Sequence, residues 1–161
     1  MEKFSNIKNR KVTKINEQEN QIDVTDETIE DSLEQSDIAK FFSKIFESKE
    51  MAHVYHLTVK GEEGSYSSHK ALEDYYENIL EHLDNAIEVY QGQYGEIIES
   101  YDIIDTSKSK DSEMIEYFEE VGNFILENKS VIPDKDTHTH SIIDEISILV
   151  YKLLYKLRYN R

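Results

Sequence analysis

The sequence predicts an all-α protein: one bundle of four helices, preceded by a charged segment. Three observations carry that expectation. Apolar residues recur every three or four positions through most of residues 38–157, the spacing that keeps one face of a helix apolar. One proline and five glycines in 161 residues leave few helix breakers. No run alternates apolar and polar residues with the period of a strand, and no segment repeats another.

Composition narrows the function. The chain carries 18 Lys and Arg against 34 Asp and Glu, a net charge of −16, so its body is a poor ligand for a phosphate backbone and an attractive surface for cations. Its length suits a single domain, by the prior of roughly 100–200 residues each. No stretch approaches the ~20 apolar residues that span a bilayer, so no membrane partner is expected. The N-terminus lacks the basic-then-apolar pattern of a secretory leader, and a cytoplasmic location is expected. Zero cysteines exclude disulfides, thiolate metal sites and cysteine nucleophiles.

Residues 1–36 differ from the rest. Lys3, Lys8, Arg10, Lys11 and Lys14 face only Glu2 in the first 14 positions, and residues 15–36 then hold eight acids and no base. With few aromatics and no sustained period, this segment reads as a disordered or loosely docked tail, and the bundle as residues 37–161. Its basic tip is the one place where weak nucleic-acid binding is expected; a solubilising tail that folds back on its own acids is the plainer reading.

The first helix is expected from an N-cap at Asp37, with Ile38, Phe41, Phe42, Ile45, Ala52, His56 and Val59 on its apolar face. Glycines at 61 and 64 mark a turn over residues 61–68. A second helix over 67–90 presents Leu72, Tyr76, Ile79, Leu80, Leu83, Ile87 and Tyr90. A link of about 20 residues follows, with a short helix expected at 96–104. The third helix starts near Asp111 or Ser112 and carries Met114, Ile115, Phe118, Val121, Phe124 and Ile125. After Pro133 the fourth starts near Asp136 or Thr137 and runs through Ile143, Ile146, Val150, Leu153 and Leu157. A short link joins antiparallel neighbours, whereas one of ~20 residues permits a crossover, the ferritin-like form of a four-helix bundle.

Helix two carries the chemistry. With His69 at zero, Glu73 falls near 40°, Asp84 near 60° and Glu88 near 100°, a polar strip beside the apolar one. A solvated edge is the ordinary reading of such a strip. Yet His69 and Asp84 stand roughly 22 Å apart along a helix, while the midpoints of 69 and 88 and of 73 and 84 coincide between Asn78 and Ile79. Two copies crossing antiparallel about a two-fold axis there would bring His69 to Glu88 and Glu73 to Asp84 of the mate, making two identical sites. Nitrogen and carboxylate ligands suit iron, manganese or zinc. His56 lies on the stripe of helix one, with His53 slightly off it.

This pattern resembles a known family. His56, the glycine turn, His69-x-x-x-Glu73 and Asp84-x-x-x-Glu88 look like the ferroxidase signature of the Dps mini-ferritins. The resemblance implies a di-metal site between two-fold-related subunits. His56, His69 and Glu73 would come from one subunit, and Asp84 and Glu88 from the other. It further implies iron binding, Fe²⁺ oxidation and storage, and a homo-oligomer of up to twelve subunits. Glu73 replaces the family's aspartate, the interval between the histidines is one residue longer, and Leu57 stands in place of tryptophan. The segments MAHVYH, SSHKALEDYY, VYQGQYG and LVYKLLYKLRY are similar to a bacteriophage-encoded, Dps-like group, which implies host cytoplasm or virion. The alternative reading is a non-catalytic structural or interaction protein of the same fold, such as a phage particle component.

Other candidates have plainer readings. His138 and His140 flank the start of helix four, as a second metal site or an exposed cap. His82 is expected in solvent. The eleven tyrosines, among them Tyr76, Tyr151 and Tyr155, read as core and interface packing.

Overall fold

Four helices make up most of the described chain: α1 (Asp26–Thr58), α2 (Ser65–Tyr94), α3 (Met114–Asn128) and α4 (Thr137–Tyr159), with one 3-10 turn (Lys129–Val131) after α3. The structure is a computed structural model that describes residues 26–60, 65–102, 104–107 and 113–159, giving the backbone alone for 26–36 and 65. No strand occurs among the described residues. The basic tip, most of the glycine turn and the starts expected at Asp111 and Ser112 lie outside them.

Contacts between helices fix the connectivity. α2 packs on α1 and α4, and α3 packs on the same two, so α2 and α3 stand across the diagonal, as do α1 and α4. Each adjacent pair is antiparallel. His56 stacks on His69 while Phe42 meets Tyr90. Tyr94 reaches Asp136 while Asp74 pairs with Lys156. Phe41 stacks on Phe124 while Tyr55 meets Tyr117, and Glu119 pairs with Arg158 while Lys129 pairs with Asp144. The order is therefore up-down-down-up, and the link after α2 must travel the length of the bundle. This is the expected ferritin-like crossover.

The link runs over α1. Ile98 is buried, and its N–H donates to Gln91 Oε1 at 2.8 Å. Tyr101 meets the Phe46 ring edge-on at 5.5 Å, and the Asp102 N–H donates to Ser43 Oγ at 2.8 Å. Backbone donors committed to side chains of α1 and α2 are not available for a helical ladder. The short helix expected at 96–104 accordingly does not form over the described residues.

Helix boundaries shift from the expected ones for local reasons. α1 begins at Asp26, so Asp37 lies inside the helix and is not its cap. An acid-rich start suits the positive end of a helix dipole. α2 runs past Tyr90 and Gly92 to Tyr94, and Gly95 ends it at φ 70° with its N–H on the Gln91 carbonyl (2.8 Å), a conformation that favours glycine.

One core joins the four apolar faces, and most of the expected stripe residues are buried in it. The exceptions are His56, Val59, Tyr76, Tyr90, Ile115 and Phe124, which are half-buried, and Leu80, which is 38% exposed. Near its centre Phe118 meets the rings of Tyr55, Tyr75 and Tyr117. Ser48 Oγ donates to the Ile45 carbonyl (2.7 Å), so the Tyr75 hydroxyl donates to Ser48 Oγ (2.8 Å).

A polar clamp joins α2 to α4. Asp136 is buried, and its carbonyl accepts the His140 N–H (3.0 Å), which makes it the cap of α4. Its carboxylate accepts from Gln93 Nε2 and Tyr94 Oη, each at 2.6 Å. Burial pushes this carboxyl up, but the bonds from Tyr94 and Gln93 and the charges of Lys135 and His138 outweigh it and hold it below 3.8. The bond to Asp136, with burial and the carboxylate charge, pushes the Tyr94 hydroxyl from 10.0 to about 12.

Two predictions follow from the core and the clamp. Phe118→Ala should cost roughly 3–5 kcal/mol in denaturant unfolding, since the three tyrosine rings around it cannot close the void. A lowered carboxyl stabilises the fold above its unfolded value and loses that contribution as pH falls through its folded one. A raised hydroxyl contributes below its unfolded value and loses that contribution as pH rises through its folded one. Unfolding free energy should therefore decline in acid below 3.8 and in base from 10.0 to about 12. Asp136→Asn should reduce both declines in the same titration.

Candidate metal centre

α1 and α2 form an antiparallel hairpin, which brings His56 in the last turn of α1 against His69 near the start of α2. The rings lie nearly parallel, centroids 3.7 Å apart and planes at 24°. Nδ1 of His56 is 3.1 Å from the His69 carbonyl, and Nδ1 of His69 is 3.0 Å from the His56 carbonyl. A carbonyl only accepts, so Nδ1 carries the proton in both rings. In the neutral imidazole Nε2 is then the acceptor, the state in which histidine binds metal. An N–H given to a backbone carbonyl is also the usual way a ligating histidine is oriented.

Ring geometry limits what this pair can hold. An imidazole lone pair lies in the ring plane, and two nearly parallel planes 3.7 Å apart do not meet at one ion. Stacked in this way, the two histidines could serve one ion each but not share one. Tyr76 stands edge-on to His56 at 5.3 Å and packs on His53 at 4.7 Å, which closes the side of the pair toward the core.

Glu73 follows one turn after His69, half-buried, and the exposed Lys70 holds it in an ion pair. That hydrogen bond, against some burial and aided by the charges of Lys70, His56 and His69, keeps the Glu73 carboxyl below its ordinary value. The Lys70 ammonium contacts Oε2 of this carboxylate. Asp84 and Glu88 lie three to four turns further along α2, exposed, beside a cleft of about 310 Å³ walled by Phe46, Ile87 and Tyr101. Burial and the Asp84 charge push the Tyr101 hydroxyl up.

The chain thus stacks His56 on His69, with Glu73 one turn further along α2, and leaves Asp84 and Glu88 roughly 16–28 Å away along that helix. Among the described residues, no group of three or more His, Asp or Glu is placed to hold a metal ion within one chain. Lys70 was not foreseen, although its i,i+3 spacing to Glu73 is the spacing of a helical ion pair. His82 is half-buried, not solvated, one turn beyond Asn78 on the flank that meets α4. His138 is exposed and His140 half-buried with its Nε2 enclosed, so the two do not share an environment.

Fold and geometry together define a four-helix bundle of ferritin-like connectivity with a histidine pair at one end of its first hairpin. The chain belongs to DUF5856, a family of unknown function, whose profile matches residues 56–157 and so takes in His56, His69, Glu73, Asp84 and Glu88. Comparison with the curated proteins and with the solved structures found no match.

The ion pair makes one prediction. Lys70→Ala removes the main cause of the lowered Glu73 carboxyl, which should move up toward 4.5 in an NMR titration of its side-chain carbon.

Proposed function

We propose that the protein binds and oxidises Fe²⁺ at a di-metal site shared by two copies related by a two-fold axis. His56, His69 and Glu73 of one copy and Asp84 and Glu88 of the other are its ligands. The reciprocal Nδ1–carbonyl bonds of His56 and His69 carry this reading, because they fix both rings and leave each Nε2 as an acceptor, the state in which histidine binds metal. Two further features support it. The strip between the two half-sites holds Leu80, exposed at its centre, and Leu57, Tyr101 and Ile104 are exposed on the neighbouring surface, an apolar content suited to an interface. Carboxylates gathered from two copies need cations to offset their repulsion and desolvation.

Fe²⁺ is the substrate, drawn in by the acidic surface, and two adjacent ions together supply the two electrons that reduce one peroxide. The protein's part is to hold and space them. Manganese or zinc fits the same ligands, and the storage shell of twelve copies rests on the Dps resemblance alone. The Lys70–Glu73 pair favours a second reading, a metal-free structural or interaction protein in which the strip is only an interface.

Metal analysis separates the two: the first reading expects about two ions per site, the second none. Glu73→Ala and Asp84→Ala should each slow Fe²⁺ oxidation at least tenfold. Co-refolding the two variants should restore about a quarter of wild-type activity, because half of randomly formed pairs are mixed and each mixed pair rebuilds one intact site of two. Two variants that both oxidise iron normally exclude this ligand set.

A further inference from the structure

The outer face of α4 is the other unusual surface. Ile148 is 41% exposed, Tyr151 46%, Tyr155 61% and Tyr159 70%, and the Tyr155 and Tyr159 rings lie 5.4 Å apart, tilted by 45°. Ile148, Tyr151 and Tyr155, with the stems of Lys152 and Lys156, line a shallow cleft of about 390 Å³. Of the core and interface packing expected for the tyrosines at 151 and 155, the core part does not hold, since both are exposed. Contiguous exposed aromatics of this kind mark an interaction site.

The charges on this face say what covers it. Asp144 and Glu145 lie in its first half, Lys156 and Arg158 in its second, so the stripe is acidic toward the N-terminus of α4 and basic toward the C-terminus. At about 100° per residue all four fall within about 80° of Ile148, Glu145 and Lys156 along one flank and Asp144 and Arg158 along the other. The midpoint of Glu145 and Lys156, that of Asp144 and Arg158, and that of Ile148 and Tyr155 all fall within about half a residue of Tyr151. Their ion pairs inside the chain, Lys156 with Asp74, Arg158 with Glu119 and Asp144 with Lys129, join exposed side chains and hold little energy.

We infer that the α4 face is an isologous interface with a second copy of this chain, its α4 helices antiparallel about a two-fold axis at Tyr151. In that register each acid meets a base of the partner on the same flank. Ile148 packs on the partner copy's tyrosine ring at position 155, and the Tyr151 rings meet on the axis. Lys152 is the one cation near the axis without an opposite charge across it, and its stem covers the cleft. A net charge of −16 argues against a polyanion on this face. The interface is separate from the α2 strip and does not depend on the metal reading.

Because the chain has no cysteine, single substitutions report the register cleanly. In the full chain, Tyr151→Cys should form a covalent dimer under mild oxidation, while Glu120→Cys, exposed on α3, should form no covalent dimer. By sedimentation, the double variant Asp144→Lys with Glu145→Lys should associate through this face at least tenfold more weakly. Lys156→Glu with Arg158→Glu should do the same. An equimolar mixture should regain wild-type association, since every flank pair is again opposite in sign. The inference is overturned if Tyr151→Cys cross-links no better than Glu120→Cys, or if mixing restores nothing. It is equally overturned if the face proves to be covered by an oligonucleotide or by the chain's own residues 1–25.

Discussion

Two imidazoles that each give a proton to the other's main chain hold the end of α1 against the start of α2. The arrangement uses backbone groups that a helix terminus leaves without partners: the His56 carbonyl belongs to the last turn of α1, where the i+4 donor is missing. The contact therefore closes the hairpin and orients the candidate ligands in one step. Without it, the two rings would be half-exposed side chains with free torsions, and the strip on α2 would begin with a lone histidine.

Much of the fold was legible because it rests on periodicity. The stripes at Phe41, Phe42 and Ile45, at Phe118, Val121 and Ile125, and at Ile143, Val150 and Leu157 are all buried as their spacing indicated. The length of the link pointed to a crossover, and the diagonal placement of α2 and α3 is one. What periodicity missed was decided by partners remote in sequence. Residues 96–102 carry an apolar spacing that suits a helix, yet the N–H groups of Ile98 and Asp102 bond to Gln91 and Ser43, one of them 59 positions away. The second helix was expected to end at Tyr90, but it runs on until Gly95 supplies the positive φ that ends it.

The candidate site was legible in part. Spacing on α2 placed Glu73, Asp84 and Glu88 on one strip, and the hairpin brought His56 to His69. Angular position did not reveal that the rings would stack, because ring orientation follows from the carbonyls they bond, and those come from the opposite helix. Nor does helical phase distinguish a free carboxylate from one already paired, as Glu73 is with Lys70. The tyrosines at 151 and 155 show the same limit on α4. Their spacing resembles a core stripe, but the narrower arc through Val150, Leu153, Leu154 and Leu157 fills the available interior, and aromatic residues one step around the helix remain outside.

A strap laid over α1 makes the molecule two helical hairpins tied together, α1 with α2 and α3 with α4. Each hairpin gathers its contacts between residues near in sequence, so each can zip locally before the other is in place. The entropy of joining them grows only with the logarithm of the strap's length, about 0.6 kcal/mol per doubling. Natural insertions and engineered reporters should therefore be tolerated best between Ile104 and Met114, past the last residue that anchors the strap to α1 and before α3 begins.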